Sequence, residues 1–284
     1  MGRVRRVAGR VKRALVDRGP AEWEYVPGGW AASIGPTAPR GWDVDSVAEA
    51  YRTRLPEFEQ LVSGTEPLAV PTSASVAGTP PNVNDQNTIL VFALALTRAA
   101  ARGGAASVSV LDFGGGFGFH SFLARALLPA SVAIDYHVQE VATVCEAARA
   151  LVPTVTFTTD ATIGSRTFDL VMASNAFQYA PDWRATLDEL VEMTDDSILL
   201  TAVPTVFSAP SFVVLQRTQR SRFDTEYLSW VFRRDELVDA VTAAGLALDR
   251  EFLQSARPEI RGAPEQPVTR AYLFARSSGP ETTA

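Results

Sequence analysis

The sequence is poor in the residues that build metal centres and disulfide frameworks. Its 284 residues include one cysteine, Cys145, and two histidines, His120 and His137. One cysteine cannot form an internal disulfide, and these three side chains cannot complete a four-ligand structural zinc site. We therefore expect no disulfide and no required metal, with carboxylate-bound magnesium as the open alternative. A buried cysteine without a partner is also typical of a protein from the reducing cytoplasm.

Lysine is almost absent as well, because Lys12 is the only one in the chain. A phosphate-binding P-loop needs a lysine directly after its glycines, so this sequence excludes that motif. Long apolar runs are also lacking. None approaches the roughly 18 residues that a membrane-spanning helix needs. We expect no transmembrane segment.

Charge is distributed unevenly along the chain. Residues 1–18 hold seven basic side chains and one acid, Asp17, whereas the whole chain has a net charge of −6. The apolar residues of this segment fall on one helical face: Val4, Val7, Val11 and Leu15. Residues 1–20 therefore predict a basic helix or tail, either solvated or in peripheral contact with an anionic membrane surface or a partner. The acidic body disfavours nucleic acid as a partner.

The rest of the chain divides by its hydrophobic pattern. Residues 21–104 predict a helical cap, with helices at 45–62 and 85–101. Residues 105–276 alternate strands with helices, and 277–284 predict a disordered tail. The predicted strands lie at 107–112, 131–138, 154–158, 168–173, 196–202, 247–254 and 270–276. This order is typical of an α/β, doubly wound, mostly parallel sheet of seven strands, in which ligands bind at the carboxyl ends of the strands.

The most informative segment follows the first of these strands. Asp112 ends the strand, and glycines follow in an Asp-x-Gly-x-Gly-x-Gly pattern before the next helix: Gly114, Gly115, Gly116 and Gly118. Such a turn lets a ligand approach the backbone. A dinucleotide site would need a third glycine at the position of Phe119. A carboxylate beside the turn instead suits the sulfonium and ammonium of S-adenosylmethionine.

The ends of the next strands supply further candidates for the donor site. Glu140 would accept hydrogen bonds from both ribose hydroxyls, unless it only caps the next helix; Asp135 is the competing acid. Asp160 and Ala161 suit the adenine ring, although Asp160 is also a common turn residue. Ser174 and Asn175 follow the fourth strand and would face the methyl donor.

Two residues are candidates for the chemistry itself. His120 starts the helix after the glycine turn, and histidine is the side chain that ordinarily changes charge near neutral pH, so it is our candidate base. It has an alternative role in hydrogen bonding or packing. Tyr179 would orient an acceptor hydroxyl or pack against the sheet. Residues 204–232 predict a lid, and its arginines, Arg217, Arg220 and Arg222, would suit an acidic group on the acceptor or simply be solvated.

These motifs together resemble a little-characterised family of class I S-adenosylmethionine-dependent methyltransferases, often associated with polysaccharide or natural-product gene clusters. The resemblance rests on these segments: 26–30, 112–120, 136–140, 178–183 and 230–237. It implies a Rossmann-like fold and S-adenosylmethionine as donor, with S-adenosylhomocysteine as product. We expect O-methylation of a small-molecule natural product or saccharide. N- or C-methylation, a noncatalytic binding protein and an NAD-dependent oxidoreductase remain alternatives.

Overall fold

A computed structural model of the protein describes residues 22–31, 38–68, 82–102, 104, 106–159, 166–217 and 223–276. The predicted basic segment 1–20, the predicted tail 277–284, and Asp160 with Ala161 lie outside these ranges.

The described helices match the predicted ones to within a few residues. They are α1 (Asp45–Ser63), α2 (Val83–Arg102), α3 (Phe119–Leu127), α4 (Ala142–Arg149), α5 (Trp183–Glu192) and α6 (Arg234–Ala243). A short 3-10 turn spans Phe177–Tyr179. None of the helices within the described ranges is both long and apolar enough to cross a membrane.

The strands form one mixed sheet. They are β1 (Trp23–Tyr25), β2 (Ser107–Phe113), β3 (Ala133–Gln139), β4 (Thr156–Thr158), β5 (Phe168–Ser174), β6 (Thr194–Val206), β7 (Phe212–Arg217), β8 (Glu226–Arg233), β9 (Leu246–Gln254) and β10 (Val268–Arg276). All seven predicted strands are present, as β2 to β6, β9 and β10. The predicted number is too low for the described residues, because β1, β7 and β8 extend the sheet to ten strands.

The centre of the sheet is the doubly wound arrangement that the sequence predicts. Its parallel strands run in the order β4-β3-β2-β5-β6, and β10 joins β6 antiparallel with β9 at its outer side. Chain order reverses at β2, which pairs with β3 on one side and β5 on the other. In sheets of this kind the ligand crevice lies at this switch point, beyond the carboxyl ends of the strands.

The segment 204–232, predicted as a lid, continues the sheet for most of its length, and its Gln216 and Tyr227 line the cavity described below. The end of β6 reaches past β5, and its Thr205 and Val206 pair with β8. β8 then pairs antiparallel with β7, and β7 with β1. The run from Phe212 to Leu215 is rich in β-branched and aromatic residues, which favour strands. β1 also makes the 21–104 region more than a helical cap.

Two hydrophobic layers cover the sheet, as the side-chain alternation of its strands requires. Along β2, Val108 and Val110 face the layer built with α1 to α4, whereas Leu111 faces the layer built with α5 and α6. Phe58 of α1 and Phe92 of α2 are fully buried in the first layer. Burial of a phenylalanine contributes about 1.5–3 kcal/mol, so the cap helices share the core of the sheet and hold the site from one side.

Candidate functional site

The glycine turn between β2 and α3 is built on left-handed backbone. Gly114, Gly116 and Gly118 have φ of +67°, +59° and +73°. This region costs side-chain-bearing residues energy, which explains the glycines at alternate positions. At Gly114 a Cβ atom would also stand 2.4 Å from the Cβ of Ala176. Gly118 precedes the first residue of α3 and allows the helix to start there.

Position 115 requires glycine for a different reason. Its φ is not positive, but a Cβ there would stand 2.6 Å from the carboxylate of Asp112. Asp112 is fully buried, and its Oδ2 accepts a hydrogen bond of 2.9 Å from the hydroxyl of Tyr136. Its second oxygen, Oδ1, has no partner among the described residues. A buried carboxylate oxygen without a partner is costly, so this position is prepared for a ligand donor or cation.

His120 lies in the first turn of α3, beside the same carboxylate. Its Nδ1 is 3.5 Å from Asp112 Oδ2, and its ring packs edge-on against Phe92 at 5.0 Å between centroids. The side chain is 3% exposed, and Nε2 has no partner in the described part of the chain. Nδ1 therefore faces the carboxylate, and Nε2 is the ring nitrogen left for a ligand.

Glu140 follows the last residue of β3. Its carboxylate accepts hydrogen bonds from the backbone N–H of Val141, at 2.7 Å, and from that of Gly116. Burial raises the pKa of Glu140 to about 7, and the charge of Asp112 adds to the effect. The competing acid, Asp135, lies elsewhere: it bonds His137 at 3.0 Å and contacts Arg166.

Strained backbone marks the ends of β5 and of the core part of β6. Asn175 and Ala202 have φ of +53° and +55°, although neither is glycine. Asn175 Oδ1 accepts a bond of 2.8 Å from Gln178, and Ser174 accepts one of 2.8 Å from Thr201. Such strain costs on the order of 1–3 kcal/mol per residue and concentrates at functional sites.

Aromatic residues line another part of the cavity, and one of them, Tyr51, also contacts the glycine turn. We call this set the aromatic wall: Trp42, Tyr51, Tyr179 and Tyr227. Trp42 and Tyr227 stack at 4.1 Å between centroids, and Tyr179 stands edge-on to each of them at 5.0 Å. The Tyr179 hydroxyl donates to Gln216 Oε1 at 3.3 Å. Burial raises the pKa of Tyr179, so its hydroxyl stays protonated and acts as a donor.

One cavity of about 1010 Å³ joins the glycine turn to the aromatic wall. It is lined by eight of the predicted site residues: Asp112, Gly114, Gly115, His120, Glu140, Ser174, Asn175 and Tyr179. Gly116 and Gly118 are not in its lining. Tyr51 covers Gly116, and Gly118 packs against Val155. Asp160 and Ala161 lie outside the described residues.

The cavity also contains residues that the sequence patterns did not single out. They are Trp42, Asp43, Tyr51, Asn84, Asp85, Thr88 and Gln139. Gln139 is the last residue of β3, so its position at a strand end was a usable signal. The others come from the cap region, whose approach to the strand ends depends on tertiary packing.

Arg217, predicted as a candidate for binding an acidic acceptor, points elsewhere. It pairs with Glu24 at 2.7 Å and with Glu226 at 3.2 Å, and it is not in the cavity lining. Arg220 and Arg222 lie outside the described residues. The geometry therefore gives Arg217 a structural role between β1, β7 and β8.

The residues present fit S-adenosylmethionine. Four buried polar atoms of the lining have no partner within the described ranges: Trp42 Nε1, Asp112 Oδ1, His120 Nε2 and Gln139 Oε1. A carboxylate oxygen beside a glycine turn suits the cationic end of this ligand, and Glu140 at the next strand end suits its ribose. Among the described residues, no group of three or more His, Cys, Asp or Glu side chains is arranged to hold a metal ion.

Comparisons with known proteins agree with this architecture. The sequence matches the family model described as methyltransferase domain over residues 86–251. A comparison with curated proteins found no match.

Solved structures show similarity at low identity. The chain is similar to magnesium protoporphyrin IX methyltransferase from Synechocystis PCC 6803 with bound SAH, at 13% identity, covering 81% of this chain and 98% of that one, with a TM-score of 0.48. It is also similar to an S-adenosylmethionine-dependent methyltransferase from Clostridium acetobutylicum ATCC 824, at 9% identity, 66% and 91% coverage and a TM-score of 0.45. The CcbJ methyltransferase from Streptomyces caelestis gives 14% identity, 68% and 90% coverage and a TM-score of 0.45.

The family assignment rests on the sequence match, which covers more than half of the chain. The matched segment contains the glycine turn and the ends of β3 and β5 that surround the cavity. The chain therefore belongs to the methyltransferase-domain family, a family of S-adenosylmethionine-dependent enzymes with the class I, Rossmann-like fold.

Proposed function

We propose that this protein transfers a methyl group from S-adenosylmethionine to an oxygen atom of a small-molecule natural product or saccharide. The observation that carries the proposal is the single cavity of about 1010 Å³ that joins the glycine turn to the aromatic wall. Ligand pockets commonly measure about 300–1,000 Å³, so this one has room for a donor and an acceptor side by side. Such an arrangement brings the two reactants together, which is the main requirement of methyl transfer.

In this proposal the donor lies along the glycine turn. Asp112 Oδ1 receives its ammonium group, and Glu140 accepts its ribose hydroxyls. Gly114 and Gly115 leave room for close approach, while Ser174 and Asn175 lie beside the reacting end. Asp160 and Ala161 are proposed to contact the adenine. When bound, S-adenosylmethionine supplies an electrophilic methyl group on a sulfonium, and S-adenosylhomocysteine remains.

His120 is proposed to accept the proton of the acceptor hydroxyl. Its Nε2 is buried, unpartnered within the described ranges and part of the cavity lining. Its other ring nitrogen, Nδ1, faces the carboxylate of Asp112 at 3.5 Å, so in this proposal Nε2 is the atom that accepts the proton. Tyr179 stays protonated, and its hydroxyl would orient the acceptor rather than remove a proton.

N-methylation or C-methylation is the nearest alternative, since the same cavity serves any small acceptor. A noncatalytic binding protein is the alternative from another class. It would bind the donor tightly and transfer no methyl group to any acceptor, and substitution of His120 would have no effect on function.

The donor site is tested by calorimetry of the purified full chain with S-adenosylmethionine, S-adenosylhomocysteine and NAD. We expect micromolar binding of the two sulfur ligands and none of NAD. Asp112→Asn should weaken binding of S-adenosylmethionine at least about tenfold. Asp188→Asn, an exposed substitution on α5, is the matched control and should change nothing.

Binding of NAD alone would refute the proposal. If the sulfur ligands bind, a screen with a labelled methyl group follows. Label found in an amine or on carbon, with none on oxygen, would favour the N- or C-methylation alternative.

A further inference from the structure

The cavity lining is strongly acidic. It contains six carboxylates: Glu22, Asp43, Asp85, Asp112, Glu140 and Glu189. Among the described residues that line it, none is arginine or lysine, and His120 is the only basic side chain. The donor brings one net positive charge, from a sulfonium, an ammonium and a carboxylate. The carboxylates outside the donor side are therefore not neutralised by the donor.

The carboxylates fall into groups by their neighbours. Asp112 and Glu140 lie at the glycine turn, and Asp43 accepts a bond of 3.1 Å from the backbone N–H of Thr143, beside Glu140. These three belong to the donor side. Asp85 instead lies in the first turn of α2. Glu22 lies near Tyr227, whose pKa is raised mainly by burial and in part by the charge of Glu22. Asp85 and Glu22, together with Glu189, are the lining carboxylates outside the donor side.

Asp85 is only partly compensated by the protein. Its Oδ2 accepts a bond of 2.6 Å from Asn82, and the charge of Arg54 acts on it from inside the fold. Arg54 is influenced more strongly by Glu57 than by Asp85, so one guanidinium serves two carboxylates. Burial raises the pKa of Asp85, which is the direction expected of a carboxylate short of positive charge.

The aromatic wall lies in the same lining as Asp85 and adds a second kind of group that attracts cations. Indole and phenol rings attract cations through their π faces. Trp42 Nε1 is buried and has no partner among the described residues. Together with the unpartnered Nε2 of His120, it shows that the cavity is built for a ligand that carries polar groups as well as charge.

We propose that the methyl acceptor carries a protonated amine, as in an amino sugar or an aminated natural product, and that Asp85 and the aromatic wall bind this group. The inference rests on the proposed function and names its acceptor class. Acceptors with a carboxylate or phosphate in the same place would meet carboxylates and be repelled. The amine anchors the acceptor, while a hydroxyl elsewhere on it lies near His120.

The test uses three phenols of similar shape and different charge. Tyramine carries an ammonium group, tyrosol a neutral hydroxyl, and 4-hydroxyphenylacetate a carboxylate. Calorimetry titrates each of them into the full chain saturated with S-adenosylhomocysteine. We expect tyramine to bind at least about tenfold more tightly than either analogue, a factor that corresponds to about 1.4 kcal/mol. Added salt should reduce this preference, because exposed charges are screened.

Variants then assign the preference to Asp85. Asp85→Asn should remove most of the preference for tyramine and leave the affinity for S-adenosylhomocysteine unchanged, whereas Asp188→Asn should keep both. Equal binding of the three phenols, preference for the neutral or acidic one, or no binding of tyramine would overturn the inference. Failure of S-adenosylhomocysteine to bind the unmodified chain would instead overturn the proposed function, so the two failures are distinguishable.

Discussion

Tyr51 of α1 lies directly against Gly116 of the glycine turn, so that a Cβ atom on Gly116 would stand 2.9 Å from two carbons of the tyrosine ring. The same ring packs against Phe117 and Phe119 at 5.5 and 5.7 Å between centroids. The cap helix and the donor turn are therefore one packed unit. Any change at this contact should alter donor binding as well as stability.

Gly116→Ala should weaken binding of S-adenosylhomocysteine at least about tenfold, because the new methyl group displaces Tyr51 and strains the turn. The left-handed backbone alone costs an alanine about 1–2 kcal/mol. Gly29→Ala measures this backbone cost alone, since Gly29 has φ of +66° and nothing lies within 4 Å of its Cβ position. Calorimetry and urea denaturation compare the variants. Equal donor affinity in the two would contradict the role given to the Tyr51 contact.

His120→Asn should lower kcat for O-methylation by about 10²- to 10⁴-fold, the usual effect of losing a general base. Affinity for S-adenosylhomocysteine should change little. His137→Asn is the control, since His137 bonds Asp135 at 3.0 Å and is not in the cavity lining. An unchanged kcat in His120→Asn would refute the assignment of this residue as the base.

Glu140 should make the stability of the ligand-free protein depend on pH. Its pKa rises from 4.5 to about 7 in the folded state because the carboxyl is buried. The folded state therefore holds a proton that the unfolded state has released, and this contribution to stability is full below pH 4.5 and is lost as pH rises through about 7.

Glu140→Gln should remove that component. Urea denaturation between about pH 5 and about pH 8 should show a smaller loss of stability in the variant than in the unmodified chain. Donor affinity should rise over the same range only in the unmodified chain, because ionised Glu140 accepts the ribose hydroxyls better. Parallel stability curves for the two proteins would contradict the raised pKa.

Gln254→Met should destabilise the protein by about 2 kcal/mol, since it removes two buried hydrogen bonds at about 1 kcal/mol each. Gln254 Oε1 accepts a bond of 2.7 Å from the backbone N–H of Ala202, and its Nε2 donates one of 2.7 Å to Thr88. Exposed Gln86→Met is the control for residue type. Thermal denaturation with and without S-adenosylhomocysteine measures the effect. A loss no larger than that of the control would mean that these bonds do not hold the strained Ala202.

Local signals explain why the sheet could be predicted so well. The run from Val108 to Gly118 indicates a strand, a turn and the start of a helix within a few residues. These signals are local, because they depend on the alternation of apolar residues and on the glycines of the turn. Glu140, Ser174 and Asn175 were predicted by a simple rule, since parallel strands present their carboxyl ends at one edge. The structure places all three in the lining of one cavity.

Tertiary contacts explain what could not be predicted. Trp42 and Tyr51 precede the first sheet strand of the methyltransferase core by more than fifty residues, and nothing local indicates that α1 crosses the glycine turn. The strands of segment 204–232 were not predicted, because β7 and β8 interrupt the alternation of strands and helices. The pairing of Val214 with Tyr25 and with Ser229 on its two sides needs the folded chain to become apparent.

β6 is 13 residues long and belongs to both parts of the sheet, because its Thr205 and Val206 pair with β8. Gln216 and Tyr227 are partners on the neighbouring strands β7 and β8, so the proposed acceptor surface of the cavity is built on paired strands. Exchanging Gln216 and Tyr227 for other residues would reshape that surface while the donor end stays intact. These two positions are where a library designed to redirect the enzyme to new acceptors should begin.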